Sequence, residues 1–335
     1  MPSTLPGVPD IDEDLASRIV DRLGAIEHLL RDSVSSSDDM MRWTGRHLMD
    51  AGGKRVRPML VLLAASLGDI DAAGVQDAAV LVELTHLASL YHDDVMDSAP
   101  TRRGTDSAHA LWGNNVAILT GDFLFARASA LSARIGTDAV RLHSETFERL
   151  CLGQLHETVG PKAGEDPFEH YISVLSDKTA SLLSLAGGLG ASLSGAPEST
   201  ADVMRRYGEK VGVAFQLADD VLDLESDADT SGKTPGIDLR EGVPTMPTLL
   251  VRRRAAAHPD SRSLEIVERL DGDLSSDSAL DELVGLLRAD PALEETRELA
   301  ARTADEASAT LAELPAGDAR DALTAFTTTL VRRNR

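Results

Sequence analysis

The chain has 335 residues, a formal charge of −22, 42 % hydrophobic residues and only 3 % aromatic ones. That charge excludes a nucleic-acid footprint, which needs clustered basic residues, and a broad electrostatic grip on anionic lipid. The apolar share calls for a core of Ala, Leu and Val, which suits close-packed helices. A single cysteine, Cys151, rules out an internal disulfide, fits a reducing cytoplasm and is expected as a small buried hydrophobe.

The first nine residues lack a basic start and an apolar core segment, so they read as a flexible N-terminus and not as a targeting sequence. Ile11, Leu15, Ile19, Leu23, Ile26 and Leu30 then form one helical stripe, opened by Asp10, Glu13 and Asp14. Gly52–Gly53 breaks the chain at GGKRVRP, and a short apolar helix is predicted from Met59. Val75 to about Met96 reads as one long helix, stopped by Pro100. Further helices are predicted over 114–135, 138–158, 166–194, 198–224, 245–256, 291–313 and 317–333. Gly, Pro and Asp cluster between Ser226 and Pro247, a loop about twenty residues long, and loops of that length in compact domains are usually functional. The longest apolar stretches, such as Met59–Leu67, fall short of the roughly 20 residues of a membrane span, so no transmembrane segment is expected. With no repeat and no dividing linker, the expectation is one all-α domain over 1–335.

Within the helix that ends at Met96, YHDDVMD places Asp93, Asp94 and Asp97 near the C-terminal end. Asp93 and Asp97 are four apart, so their carboxylates stack on one face, where they repel each other and the negative helix end. FQLADDVLDLE repeats the arrangement with Asp219, Asp220 and Asp223. An exposed acidic helix end would account for one such cluster in so acidic a chain. Two, each set among apolar residues, point to a cation, and carboxylates with room for water suit Mg²⁺ held together with substrate phosphates. Cations are scarce elsewhere, yet Lys54, Arg55 and Arg57 flank the glycine turn and Arg102 and Arg103 follow the first aspartate cluster. Lys178 lies in an apolar helix and Lys233 in the acidic loop. Any one of these suits a solvated surface; their grouping suits an anionic ligand gripped by Arg forks and Lys point charges.

Taken together, GGKRVRP, HLASLYHDDVMDSAPTRRG (86–104), Lys178–Thr179 and FQLADDVLDLESDADTSGKTPGIDLREG (215–242) resemble the trans-isoprenyl diphosphate synthase (polyprenyl synthetase) family, and within it the bacterial medium- and long-chain enzymes. The resemblance implies an isoprenoid-synthase-type helical bundle with a central cavity between two aspartate-rich helices. It implies that Asp93, Asp97 and Asp219, assisted by Asp94, Asp220 and Asp223, bind about three Mg²⁺ that clamp an allylic diphosphate. Arg102, Lys178 and Lys233 would contact that diphosphate, while Lys54, Arg57, His86 and Arg103 would hold isopentenyl diphosphate. Thr179 and Gln216 would lie beside the reacting carbons. His92 is left to packing or capping. One departure is Val243, where the family often has lysine; Arg240 is the nearest substitute.

The same resemblance makes the residues before Asp93 the wall of the elongation pocket. Thr85, Ala88 and Ser89 are small, with no Phe or Tyr at these positions and no insertion in the first motif, which predicts a long product of about six to ten isoprene units, C30–C50, since a helical turn rises about 5.4 Å, close to one prenyl unit. Phe123 and Phe125 are candidates for a deeper floor. Relatives are usually homodimers, and a cytoplasmic homodimer is expected. Rival readings are a short-chain (C15–C20) synthase, a class I terpene cyclase, a non-catalytic subunit of a heteromeric synthase and a metal-stabilised scaffold. Against the cyclase stands the second diphosphate site implied by GGKRVRP and Arg103; against the silent subunit stands the completeness of both aspartate motifs.

Overall fold

Long apolar periods dictate the architecture, and the computed structural model, which describes residues 11–225 and 235–331, is built from them. The nine-residue N-terminus and Lys233 lie outside the described residues. In chain order the helices are α1 (Glu13–Ser33), α2 (Asp39–Asp50), α3 (Val56–Ala65), α4 (Val75–Met96), α5 (Ala108–Trp112), α6 (Asn114–Ile135) and α7 (Thr137–Val159). There follow α8 (Pro167–Leu175), a π-helical turn Ser176–Ala180, α9 (Ser181–Leu193), α10 (Glu198–Glu225) and α11 (Ile237–Arg240). The last are α12 (Met246–Ala257), α13 (Ser261–Leu270), α14 (Asp277–Arg288), α15 (Pro291–Thr310) and α16 (Asp318–Val331). The only sheet among the described residues is a two-residue ladder, Thr101–Arg102 against Thr105–Asp106, so the fold is all-α as expected.

The chain forms two compact units: Met1–Arg149 with Ser181–Glu209 and Ser308–Thr327, and Leu150–Ala180 with Lys210–Ala307 and Thr328–Arg335. In the first, α4 is the central helix and packs on α1, α3, α5, α6 and α9. Its near-continuous burial from Val75 to Ala88 explains why its sequence is apolar on every side and not striped. In the second unit, Leu217, Val221 and Leu224 of α10 pack with Tyr171, Met246, Val251, Ile266, Leu283, Leu287 and Leu293 in one core cluster.

Three expectations need correction. Cys151 is exposed and not buried, because it sits on an outward position of α7. The run 166–194 is not one helix: the π turn interrupts it. And one helix among the described residues, α6, is long and apolar enough to cross a membrane by length and composition. Within its unit α6 packs along α4, and a core helix passes the same test of length and composition.

Candidate active site

Three positive backbone angles shape the cationic part of the first unit. Arg103 (φ 55°) and Gly104 (φ 75°) are the central residues of a two-residue hairpin turn between Arg102 and Thr105, the I′ geometry that matches strand twist. The turn aims the Arg103 guanidinium at the end of α2, where it donates to Leu48 O (2.8 Å) and to Gly52 O. Arg55 (φ 48°) precedes α3 and is spoken for: it donates to Glu83 Oε1 (2.9 Å), to both Glu27 oxygens and to Met49 O (3.2 Å). Its neighbours in the GGKRVRP turn face outward more, with Lys54 exposed and Arg57 half-buried.

His86 lies two turns before Asp93 on α4. Burial, and then the charges of Arg57, Arg103, Arg102 and Arg55, hold its imidazole well below the usual pKa, so it is neutral at physiological pH. His86 therefore shares one electrostatic neighbourhood with Arg57, Arg102 and Arg103. A neutral imidazole in the field of several guanidinium groups suits an anion.

The first aspartate motif divides by burial. Asp94 is fully buried and accepts from Arg102 Nε (2.6 Å), while its other oxygen is buried with no hydrogen-bond partner among the described residues. Burial raises its pKa against the opposing pull of Arg102. Asp93 is half-buried and Asp97, at the C-cap of α4, is exposed. Asp94 with Arg102 is thus an internal pair, which engages an arginine expected on the allylic diphosphate.

The second motif repeats this pattern in the second unit. Asp220 is buried, and its oxygens accept from Tyr171 Oη (2.9 and 2.8 Å) and from the Met246 amide (2.9 Å). Burial pushes both the Asp220 carboxyl and the Tyr171 hydroxyl well up, and Asp238 and Glu157 act on Tyr171 in the same direction. Asp219, Asp223 and Gln216 are half-buried on the same helix. Lys178 and Thr179 fall in the π turn; Lys178 Nζ donates to Glu157 Oε2 and Thr179 is buried. Arg240 is on the surface, paired with Asp277 (2.6 Å), so nothing marks it as the replacement for a lysine at 243.

The residues expected to form the wall also separate. Ala88 is buried and Ser89 turns its hydroxyl onto His86 O. Thr85 donates to Leu81 O (2.9 Å), so His143 Nε2, 3.0 Å away, is the donor to Thr85 Oγ1. Phe125 packs with Phe147 and His92, and Phe123 lies beneath the Arg127 guanidinium. His92 packs on α6, its Nε2 meeting Ile118 O (3.1 Å).

The donor set fits a hard cation. Each motif keeps its first and last carboxylates accessible, and no cage of three or more His, Cys, Asp or Glu is gathered among the described residues. Mg²⁺ usually takes one or two carboxylates and completes its shell with water and substrate phosphates. Sequence reasoning missed His143, Tyr171, Glu157 and Gly153. The first three carry no local signal, but Gly153 does, as a lone glycine inside a helical pattern.

Comparison with known proteins agrees with the geometry of an all-α prenyltransferase. The sequence model of the polyprenyl synthetase family matches residues 38–284. A nonaprenyl diphosphate synthase of Mycobacterium tuberculosis is 42 % identical, over 99 % of this chain and 99 % of that protein. Among solved structures, a geranylgeranyl pyrophosphate synthase from Corynebacterium glutamicum complexed with calcium and isoprenyl diphosphate superposes with a TM-score of 0.84 at 41 % identity, covering 97 % of this chain and 99 % of that one. A decaprenyl diphosphate synthase from Rhodobacter capsulatus superposes with a TM-score of 0.85 at 32 % identity, over 96 % and 99 % of the two chains. The chain belongs to the polyprenyl synthetase family, and its activity is prenyl transfer.

Proposed function

We propose that the whole chain works as one catalytic domain that condenses isopentenyl diphosphate with an allylic diphosphate and extends it to an all-trans polyprenyl diphosphate of about six to ten units, C30–C50, each unit advancing about one helical turn. The observation that carries this is the duplicated motif in which the middle aspartate is locked inside while the outer two stay accessible. Support for one domain is that the family match, 38–284, runs through segments of both units.

Asp93, Asp97 and Asp219, assisted by Asp223, would hold Mg²⁺, about three ions by the family resemblance. When bound, the metal neutralises the charge that grows on the departing diphosphate. Lys178, Arg102 and Lys233 hold the allylic diphosphate; Lys54, Arg57, Arg103 and the neutral N–H of His86 hold the other. The allylic C–O bond breaks with its electron pair leaving on the diphosphate. The isopentenyl double bond then attacks the allylic carbon, and the proton lost in forming the new double bond goes to the departing diphosphate. Thr179 Oγ1 and the Gln216 amide oxygen turn their dipoles to the cation meanwhile. Asp94 and Asp220 act behind these groups, the former by fixing Arg102.

The long product rests on the small residues Ala88 and Ser89 and on the nonaprenyl and decaprenyl relatives. We further propose a cytoplasmic homodimer, in which a second copy covers Ile118 (40 % exposed) and Leu119 (58 % exposed) on α6. The test is incubation with Mg²⁺, isopentenyl diphosphate and, separately, dimethylallyl, geranyl, farnesyl and geranylgeranyl diphosphates, with mass analysis of the dephosphorylated products. Products of thirty carbons or more are expected. A stop at fifteen or twenty discards the open wall, and silence with every starter discards the catalytic assignment.

A further inference from the structure

Between α8 and α9 the chain does something costly. Ser176–Ala180 winds as a π-helix, a rare geometry found mostly as single turns at functional sites. Lys178 and Thr179 are its third and fourth residues. Nothing in SDKTA demands that winding: no proline or glycine interrupts it, and the apolar period continues on both sides.

Opposite the turn, on α7, stands a position with no room for a side chain. A Cβ at Gly153 would stand 2.6 Å from the Lys178 amide nitrogen and 3.1 Å from Asp177 C and Cβ. Two of those three atoms are backbone, so no side-chain rotation could make room. One helical turn on, Glu157 accepts from Lys178 Nζ. Residues i and i+4 share a helix face, so one face of α7 sets both the backbone position of Lys178 and the direction of its ammonium group. Glu157 also acts electrostatically on Tyr171, whose hydroxyl donates to Asp220 of the second aspartate motif.

We infer that Gly153 and Glu157 are the positioning residues of the Lys178–Thr179 turn. This rests on the roles given to Lys178 and Thr179 under the proposed function. Gly153 acts by having no side chain: it lets the π turn seat against α7. Glu157 acts by holding the Lys178 ammonium extended until a diphosphate takes its place. Neither touches the reacting atoms, and their effect is to fix where Lys178 and Thr179 stand. A displacement of about 1 Å at such groups is enough to cost about 10²-fold in rate.

The experiment compares Gly153→Ala, Glu157→Ala, Glu157→Gln and the control Gly285→Ala, whose added Cβ meets nothing within 4 Å. Steady-state kinetics are measured with Mg²⁺, isopentenyl diphosphate and the best allylic starter, with circular dichroism and melting temperature alongside. Gly153→Ala is expected to lower kcat by about 10- to 100-fold with the KM for isopentenyl diphosphate within about twofold of wild type, while the control matches wild type. Glu157→Ala is expected to fall in kcat by about 10-fold, and Glu157→Gln, whose amide oxygen still accepts from the ammonium, to recover most of it. A merely structural role would lower all three in step with melting temperature and give no rescue. Wild-type kcat in Gly153→Ala overturns the inference, and if that variant does not fold, equal activity of the two Glu157 variants overturns it instead. An inactive wild-type enzyme would overturn the proposed function and is a separate result.

Discussion

Asp94 and Asp220 occupy the same place in their motifs and meet the same fate. Each is buried, so each needs internal donors, and the chain supplies Arg102 to one and Tyr171 with the Met246 amide to the other. The flanking aspartates keep contact with solvent. Stability and activity should therefore come apart by position. Tyr171→Phe leaves a buried carboxyl short of a donor that served both its oxygens, and is expected to cost about 1–3 kcal/mol by urea denaturation. Asp97→Ala, on an exposed cap, should stay within about 0.5 kcal/mol of wild type. Its kcat should nonetheless fall by roughly 10²–10³, the scale of losing one group that stabilises developing charge. Equal stability of both variants would remove Tyr171 from its supporting role.

At the scale of elements, sequence was informative where punctuation and period agreed. The helix Val75–Met96 is legible because the run is largely apolar and Pro100 lies just beyond its end. The π turn was not legible, since SDKTA carries no local mark of it and the glycine it packs against, Gly153, lies in another helix. The hairpin at Thr101–Asp106 is too short to alternate, so its arginines were read as charges and its turn geometry went unseen. Helices α2, α13 and α14 were passed over for their polar content, although each carries a buried stripe. The wall shows the same division. Small residues at 85, 88 and 89 were legible, but the imidazole reaching Thr85 comes from α7. Two substitutions test that wall from opposite sides. Ala88→Phe fills a buried position on α4 and should shorten the product distribution. His143→Ala removes the side chain that meets Thr85 and should lengthen it. Unchanged chain lengths in both, by mass analysis of dephosphorylated products, would take α4 out of the elongation wall.

For the molecule as a whole, a charge of −22 means that acidification relieves self-repulsion and should favour the folded state. Two histidines oppose it. Burial lowers the pKa of His143, and burial with the nearby arginines lowers that of His86 further. In the unfolded chain both return to about 6.5, so below that pH the unfolded state binds protons that the folded state refuses, and stability falls as pH falls. Asp94 and Asp220 titrate with the opposite sign, because their folded pKa values are raised and the folded state takes up protons first. The net slope mixes these contributions, but a difference isolates one of them. His143→Gln keeps a neutral donor for Thr85 and has no imidazole to titrate. At pH 7.5 the variant should be less stable than wild type by the worth of an imperfect hydrogen bond, about 0.5–1.5 kcal/mol. Between pH 6.5 and 5.5 that gap should close or reverse, by at most about 1.4 kcal/mol per pH unit, because only the wild type still carries the untitrated imidazole. Urea denaturation of both proteins across this range measures the gap directly, and a gap constant with pH would mean that His143 accepts a proton in the folded protein as readily as in water.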